Sequence, residues 1–224
     1  MKIRGWRFNS FPIWILQILT LVFAGIKAYA VDQQWLSLQA DHQLSNQHQL
    51  SLNFHRRDRA DLYSKRLLNL YRLHYRIPVD SWQITFGGAY FDSQSGNSER
   101  RLHQYADRNI KLLDDDILAS SIRLGVEERH FNSDNNLYLR FRLRVQFHIL
   151  PKKAFGPSLY HESFYIPNGQ DRFVSALSEN RTGIGLHYTL PYARLLLFHT
   201  YTLTKLPEKM KYEQWLQLFI NFPF

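Results

Sequence analysis

The 224-residue chain contains no cysteine. That excludes a disulfide framework, a thiolate metal site and a cysteine nucleophile. Past residue 30, no segment reaches the roughly 20 apolar residues of a membrane-crossing helix, which excludes a helical membrane protein. No stretch rich in Gly, Pro or Ser divides the sequence and no internal repeat is visible, so one domain is the simplest organisation. The ten histidines are scattered without metal-ligand spacing, and the sequence implies neither a metal nor a cofactor. No zinc finger, helix-turn-helix or RNA-binding signature is visible, so nucleic acid is not an expected partner.

What the chain has in quantity is alternation. Residues 137–149 read LYLRFRLRVQFHI. Leu137, Leu139, Phe141, Leu143, Val145, Phe147 and Ile149 share one face, and Tyr138, Arg140, Arg142, Arg144, Gln146 and His148 share the other. A period of two is the mark of a β-strand. Thirteen alternating residues exceed the usual five or six of a soluble sheet and match a tilted strand that crosses a bilayer, which needs roughly 9–11. Aromatic residues make up 15% of the chain, as expected where rings line two membrane interfaces.

The two ends point the same way. Lys2, Arg4 and Arg7 precede an apolar run over 13–26, and Ala28-Tyr29-Ala30 is a small-x-small cleavage pattern. This is the layout of a secretory signal peptide over residues 1–30, leaving a mature domain over 31–224. Losing Lys2, Arg4, Arg7 and Lys27 lowers the formal charge from +9 to about +5. At the other end Leu216, Leu218, Ile220, Phe222 and Phe224 alternate with Gln217, Phe219, Asn221 and Pro223. That resembles the C-terminal assembly signal of Gram-negative outer-membrane proteins, with Phe222 and Phe224 as the residues read by the barrel-assembly machinery. The expected location is therefore the outer membrane of a Gram-negative bacterium, with outer-membrane lipid around the chain.

Between the ends, alternating runs cover 35–43, 48–57, 66–77, 82–91, 100–111, 117–129, 137–149, 155–166, 180–190, 193–203 and the last strand. Single-chain bacterial barrels carry an even number of strands. The eleven runs are therefore read as a single antiparallel transmembrane β-barrel of about twelve strands, with ten as the alternative and 170–177 as the place for a missed one. Short periplasmic turns are expected at 78–81, 114–116, 151–154 and 191–192. Longer external loops are expected at 92–99, 132–136, 168–179 and 204–212.

Several motifs resemble a bacterial outer-membrane barrel family catalogued as domain of unknown function 2490. They are Glu99-Arg100-Arg101-Leu102-His103-Gln104, then Arg123 with Glu127 and Arg129, and the Arg140, Arg142, Arg144 ladder. Glu162-Ser163-Phe164, and Asn180-Arg181 leading to Gly183, Gly185 and Tyr188, complete the set. In that family the glutamate usually follows Asn, whereas His161 stands here. The resemblance implies a barrel fold and an outer-membrane location, and it implies no reaction.

The face opposite the apolar stripe is expected to point into the lumen. It presents Arg72, Arg76, Arg123, Glu127, Arg129, Arg140, Arg142, Arg144, Glu162 and Arg181, with His74 and His187 beside them. Glu127 can meet one of the three arginines of 140–144, because antiparallel neighbours lie within about 4.5–5.5 Å. Two functions stay open. A water-filled, arginine-lined lumen would make a narrow porin-like channel for small anionic solutes. Arginine–glutamate pairing would instead plug the barrel and leave a structural or anchoring element. A third class is a lipid-modifying hydrolase, suggested by His161-Glu162-Ser163. In a strand, however, Glu162 faces away from His161 and Ser163, whereas a triad needs convergence, so the expectation is a protein that is not an enzyme.

Overall fold

The computed structural model describes residues 32–45, 47–59, 66–94, 96, 98–110, 112–113, 117–133, 136–151, 153–167, 176–206 and 209–223. Contacts divide the chain into Met1–Ala30 and Val31–Phe224. The expected leader, Phe224 and the turn at 114–116 lie outside the described residues.

The second unit is all β. Its strands are β1 (Gln33–Gln43), β2 (Gln49–Arg59), β3 (Arg66–Val79), β4 (Trp82–Ser93), β5 (Glu99–Ile110), β6 (Leu118–Phe131), β7 (Leu137–Ile149), β8 (Phe155–Ile166), β9 (Ala176–Thr189), β10 (Arg194–Lys205) and β11 (Met210–Pro223). Each pairs with its sequence neighbours, and β1 pairs with β11 to close the barrel. Closure satisfies the backbone N–H and C=O groups that an open sheet would leave at its two edges.

Among the described residues there are eleven strands, close to the expected ten to twelve but not even. The parity expectation assumes that the terminal strands meet antiparallel. Here β1 and β11 run parallel, from Gln33 opposite Trp215 to Asp41 opposite Pro223, and every other pair is antiparallel. An odd count forces this, because the first and last strands then point the same way. The strand sought at 170–177 has no place between its neighbours, because β8 bonds directly to β9. Residues 176 and 177 belong to β9, and 170–175 lie outside the described residues.

The connections also differ from expectation. Thr204 pairs with Lys211 and Lys205 with Met210, so the loop sought over 204–212 shrinks to 206–209. Residues 94–98 and 132–136 are no longer than 44–48 and 150–154 at the opposite end. Loop length therefore separates the two ends less clearly than the sequence suggests. The start of β1 lies at the end that carries 94–98, 132–136 and 206–209, and the end of β11 lies at the other.

The two faces of the sheet are inverted relative to a soluble barrel. Large apolar side chains stand exposed on the outside, among them Leu52, Leu73, Phe86, Leu102, Leu124, Phe141, Leu143, Ile184 and Leu186. Monomeric soluble proteins rarely expose so much contiguous apolar surface. The buried interior holds Glu127, Glu162, Arg101, Arg140, His187 and Gln217 together with Tyr105, Tyr160, Phe164, Phe198 and Trp215. Two glycines make room for the large rings. A Cβ on Gly125 would stand 2.5 Å from the Tyr105 ring, and one on Gly183 would stand 2.1 Å from the Tyr160 ring. Each tyrosine thus lies flat over a glycine of the adjoining strand.

The parallel closure is testable in a chain free of cysteine. Leu36 and Leu218 are register partners, so the pair Leu36→Cys with Leu218→Cys should oxidise to an intramolecular disulfide in the folded protein. Mass spectrometry of the peptides checks it. Efficient cross-linking of Leu36→Cys to a cysteine at Gln214 or Phe222 on β11, with none at Leu218, contradicts this register.

Candidate functional site: an arginine-rich lumen

All ten sequence-predicted lumen residues line one internal cavity of about 540 Å³. Arg72 and Arg76 come from β3. Arg123, Glu127 and Arg129 come from β6, and Arg140, Arg142 and Arg144 from β7. Glu162 is on β8 and Arg181 on β9. Strand parity places them there: the even positions of β3, β7 and β8 and the odd positions of β6 and β9 point inward.

Glu127 is the centre of the charge arrangement, and its side chain is 0% exposed. The register sets it opposite Arg140 on β7 and His103 on β5. Its Oε2 accepts from Arg101 Nη1 at 2.9 Å and from Arg140 Nε at 2.9 Å. Its Oε1 accepts from Tyr105 Oη at 2.8 Å, and Arg142 Nη1 stands 3.7 Å away. Glu162, 2% exposed, accepts from Arg142 Nε at 2.6 Å and Arg181 Nη1 at 3.3 Å. Arg181 Nε continues to Glu179 at 2.6 Å. At the far side Glu99 binds Arg101 at 2.8 Å and Arg129 at 2.7 Å. Four carboxylates and five guanidiniums thus form one chain across β5, β6, β7, β8 and β9.

Aromatic faces hold the same cations. Arg140 and Arg181 lie 4.2 and 4.6 Å from the Phe164 ring centre. Arg57 lies 4.9 and 4.8 Å from the rings of Trp35 and Trp215, which stack on one another at 4.8 Å. A desolvated cation over an aromatic face gains about 2 kcal/mol or more.

Two further pairs stand apart from the network, Arg123 with Asp107 at 2.6 Å and Arg76 with Asp41 at 3.4 Å. Arg72 and Arg144 make no ion pair among the described residues, and the Nε of each is buried without an acceptor. Arg144 is the register partner of Glu162, yet Arg142 takes that carboxylate while Arg144 stacks over Tyr160 at 4.6 Å. The lumen therefore keeps a positive excess.

Sequence reasoning missed Glu99, Arg101 and Glu179. Glu99 and Arg101 were legible, since the parity that points Glu127 inward applies equally to β5. Glu179 was not. It fell in an expected loop, and its inward direction depends on an irregularity where Phe164 faces Glu179 but Tyr165 faces Leu177. Phe222 lies on the outward face opposite Ala40.

Removing Glu127 takes a carboxylate from three arginines and leaves Arg140 with only Glu179, at 4.0 Å. Breaking a buried pair on one side costs about 3–5 kcal/mol. Glu127→Ala should lower the temperature at which the detergent-solubilised barrel unfolds far more than Glu128→Ala, one residue away on the outer face. Equal small effects in the two melting curves contradict the network.

The comparisons with known proteins add no activity. No curated protein matches the chain. A solved chain from work on the mechanism behind in-meso crystallization of membrane proteins aligns at 13% identity. The alignment covers 86% of this chain and 83% of that one, with a TM-score of 0.41. That likeness is too loose to carry anything over. The family described as Protein of unknown function (DUF2490) matches residues 32–201, from the edge of β1 into β10, and the chain belongs to that family.

Proposed function

We propose that the protein is an outer-membrane β-barrel whose lumen is closed by its own arginine–carboxylate network, which makes it a structural or anchoring element and not an open porin. The outer-membrane reading rests on the exposed apolar exterior, the closed ladder and the expected leader and C-terminal signal, with outer-membrane lipid and the barrel-assembly machinery as its partners. The closed reading rests on one observation. The side chains of Glu127, Glu162, Arg101, Arg140 and Arg142 are all at most 9% exposed, so water reaches little of the centre of the network that ties β5 to β9 inside the lumen. Small barrels fill with side chains in this way.

A second reading has its own support. Among the described residues Arg72 and Arg144 lack carboxylate partners and face the cavity, and unpaired arginines raise the local potential and attract small anions. Under that reading the barrel is a narrow anion-preferring channel for small anionic solutes.

Planar-bilayer recording separates the two. The protein should fractionate with the outer membrane, migrate faster unheated than boiled, and give no steady conductance above background. Glu127→Ala, which dissolves the centre of the network, should then give current that prefers anions. Steady anion-selective steps from the unaltered protein, with the reversal potential moved toward cations by Arg144→Glu, would establish the channel instead.

A further inference from the structure

The outer wall carries a polar cluster where its surroundings are apolar. His161 and Ser163 share the outward face of β8, and Asn180 and Thr182 are their register partners on β9. The His161 ring is held at both nitrogens. Nδ1 meets Thr182 Oγ1 at 2.9 Å, and Nε2 meets Ser163 Oγ at 3.2 Å. Ser163 Oγ also donates to Asn180 Oδ1 at 2.7 Å. Around this cluster stand Leu143 and Val145, the partners of Ser163 and His161 on β7, and Ile184 and Tyr165.

The arrangement meets the requirements of an activated serine: a hydroxyl in contact with a base, and that base oriented by a third group. With Nδ1–H donating to Thr182, Nε2 can take the serine proton once the hydroxyl turns from Asn180 Oδ1 toward the imidazole. Glu162, which the sequence sets between His161 and Ser163, takes no part because it points into the lumen. The neighbouring strand supplies the orienting group in its place. Sequence spacing alone could not show this, because it depends on the β8–β9 register.

A second observation names the substrate. An external groove of about 610 Å³ has Ser163 in its wall. Its walls are apolar, among them Ile84, Leu124, Val126, Phe141, Leu143 and Leu177. It runs from β4 to β9, five inter-strand spacings or roughly 24 Å, enough for an extended fatty acyl chain. An apolar slot with a histidine-bonded serine in its wall, on a face turned to lipid, fits an acyl ester.

We infer that Ser163 and His161 form an outward-facing esterase site, with Thr182 as the positioning residue and the groove as the acyl-chain channel. This rests on the lipid-facing reading of the outer wall. Ser163 Oγ forms a bond to the ester carbonyl carbon, and its proton passes to His161 Nε2. The carbon–alkoxy bond breaks, and His161 returns that proton to the leaving alcohol. Water then attacks the acyl-serine with His161 as base, releasing the carboxylic acid and restoring the hydroxyl.

The test uses the full-length protein folded in detergent micelles, with folding of every variant verified by its faster migration unheated. A fluorophosphonate probe should label Ser163, located by peptide mass spectrometry, and the protein should hydrolyse a long-chain p-nitrophenyl ester. Ser163→Ala and His161→Ala should each lower the rate about 100-fold or more, whereas Ser158→Ala, a lumenal serine, should leave it unchanged. Thr182→Val should lower kcat without raising KM, with Thr182→Ser restoring it. Absence of labelling at Ser163 in folded protein, or hydrolysis that survives Ser163→Ala, overturns the inference. Since the assay is independent of cellular location, either result leaves the outer-membrane reading standing.

Discussion

Glu127 sits where water does not reach, and an isolated carboxylate in such a place costs several kcal/mol. Its ionised form requires cations at contact distance, and Arg101, Arg140 and Arg142 supply them from both flanking strands. Those arginines in turn require Glu99 and Glu162, which draw in Arg129 and Arg181. The demand for partners propagates until five strands are tied together from within. The exterior cannot perform this task. On the outer-membrane reading proposed above, apolar side chains facing lipid gain little by choosing one strand neighbour over another, because lipid tails are as apolar as they are. Register in this barrel is thus fixed by backbone pairing and by the lumenal charges.

That constraint also bears on closure. An eleven-stranded barrel must join two parallel strands, and parallel pairing is slightly less stable per residue. The seam is reinforced from inside. Trp35 of β1 stacks on Trp215 of β11, and the Arg57 guanidinium lies against both rings. Gln33 of β1 donates to Glu213 of β11 at 2.6 Å. Side-chain contacts across the closing pair thus support the ladder where it is weakest.

Much of this was legible from alternation alone. The run at 137–149 gave β7 to the residue, and its parity placed Arg140, Arg142 and Arg144 inside. Parity placed Glu127 and Glu162 equally well. Three things were not legible. The strand number followed a rule about even barrels that a parallel seam evades. The inward position of Glu179 depends on a local irregularity in β8–β9 pairing. The meeting of His161 with Thr182 depends on register between strands, and a sequence gives faces without giving registers. Even with the register known, Arg144 would have been assigned to Glu162, whereas Arg142 reaches it diagonally. Long side chains leaning along a strand make nearest-partner reasoning unreliable inside a curved wall.

The central claim is that buried charge pairing holds the barrel interior together. A double-mutant cycle on Arg142 and Glu162, read as unfolding free energy in detergent, tests it most directly. Arg142→Met and Glu162→Leu should each destabilise strongly, and the double variant should recover part of the loss, giving an interaction energy of about 1–3 kcal/mol. Additive effects, agreeing within about 0.5 kcal/mol, would show that the two side chains do not depend on one another and would contradict the account.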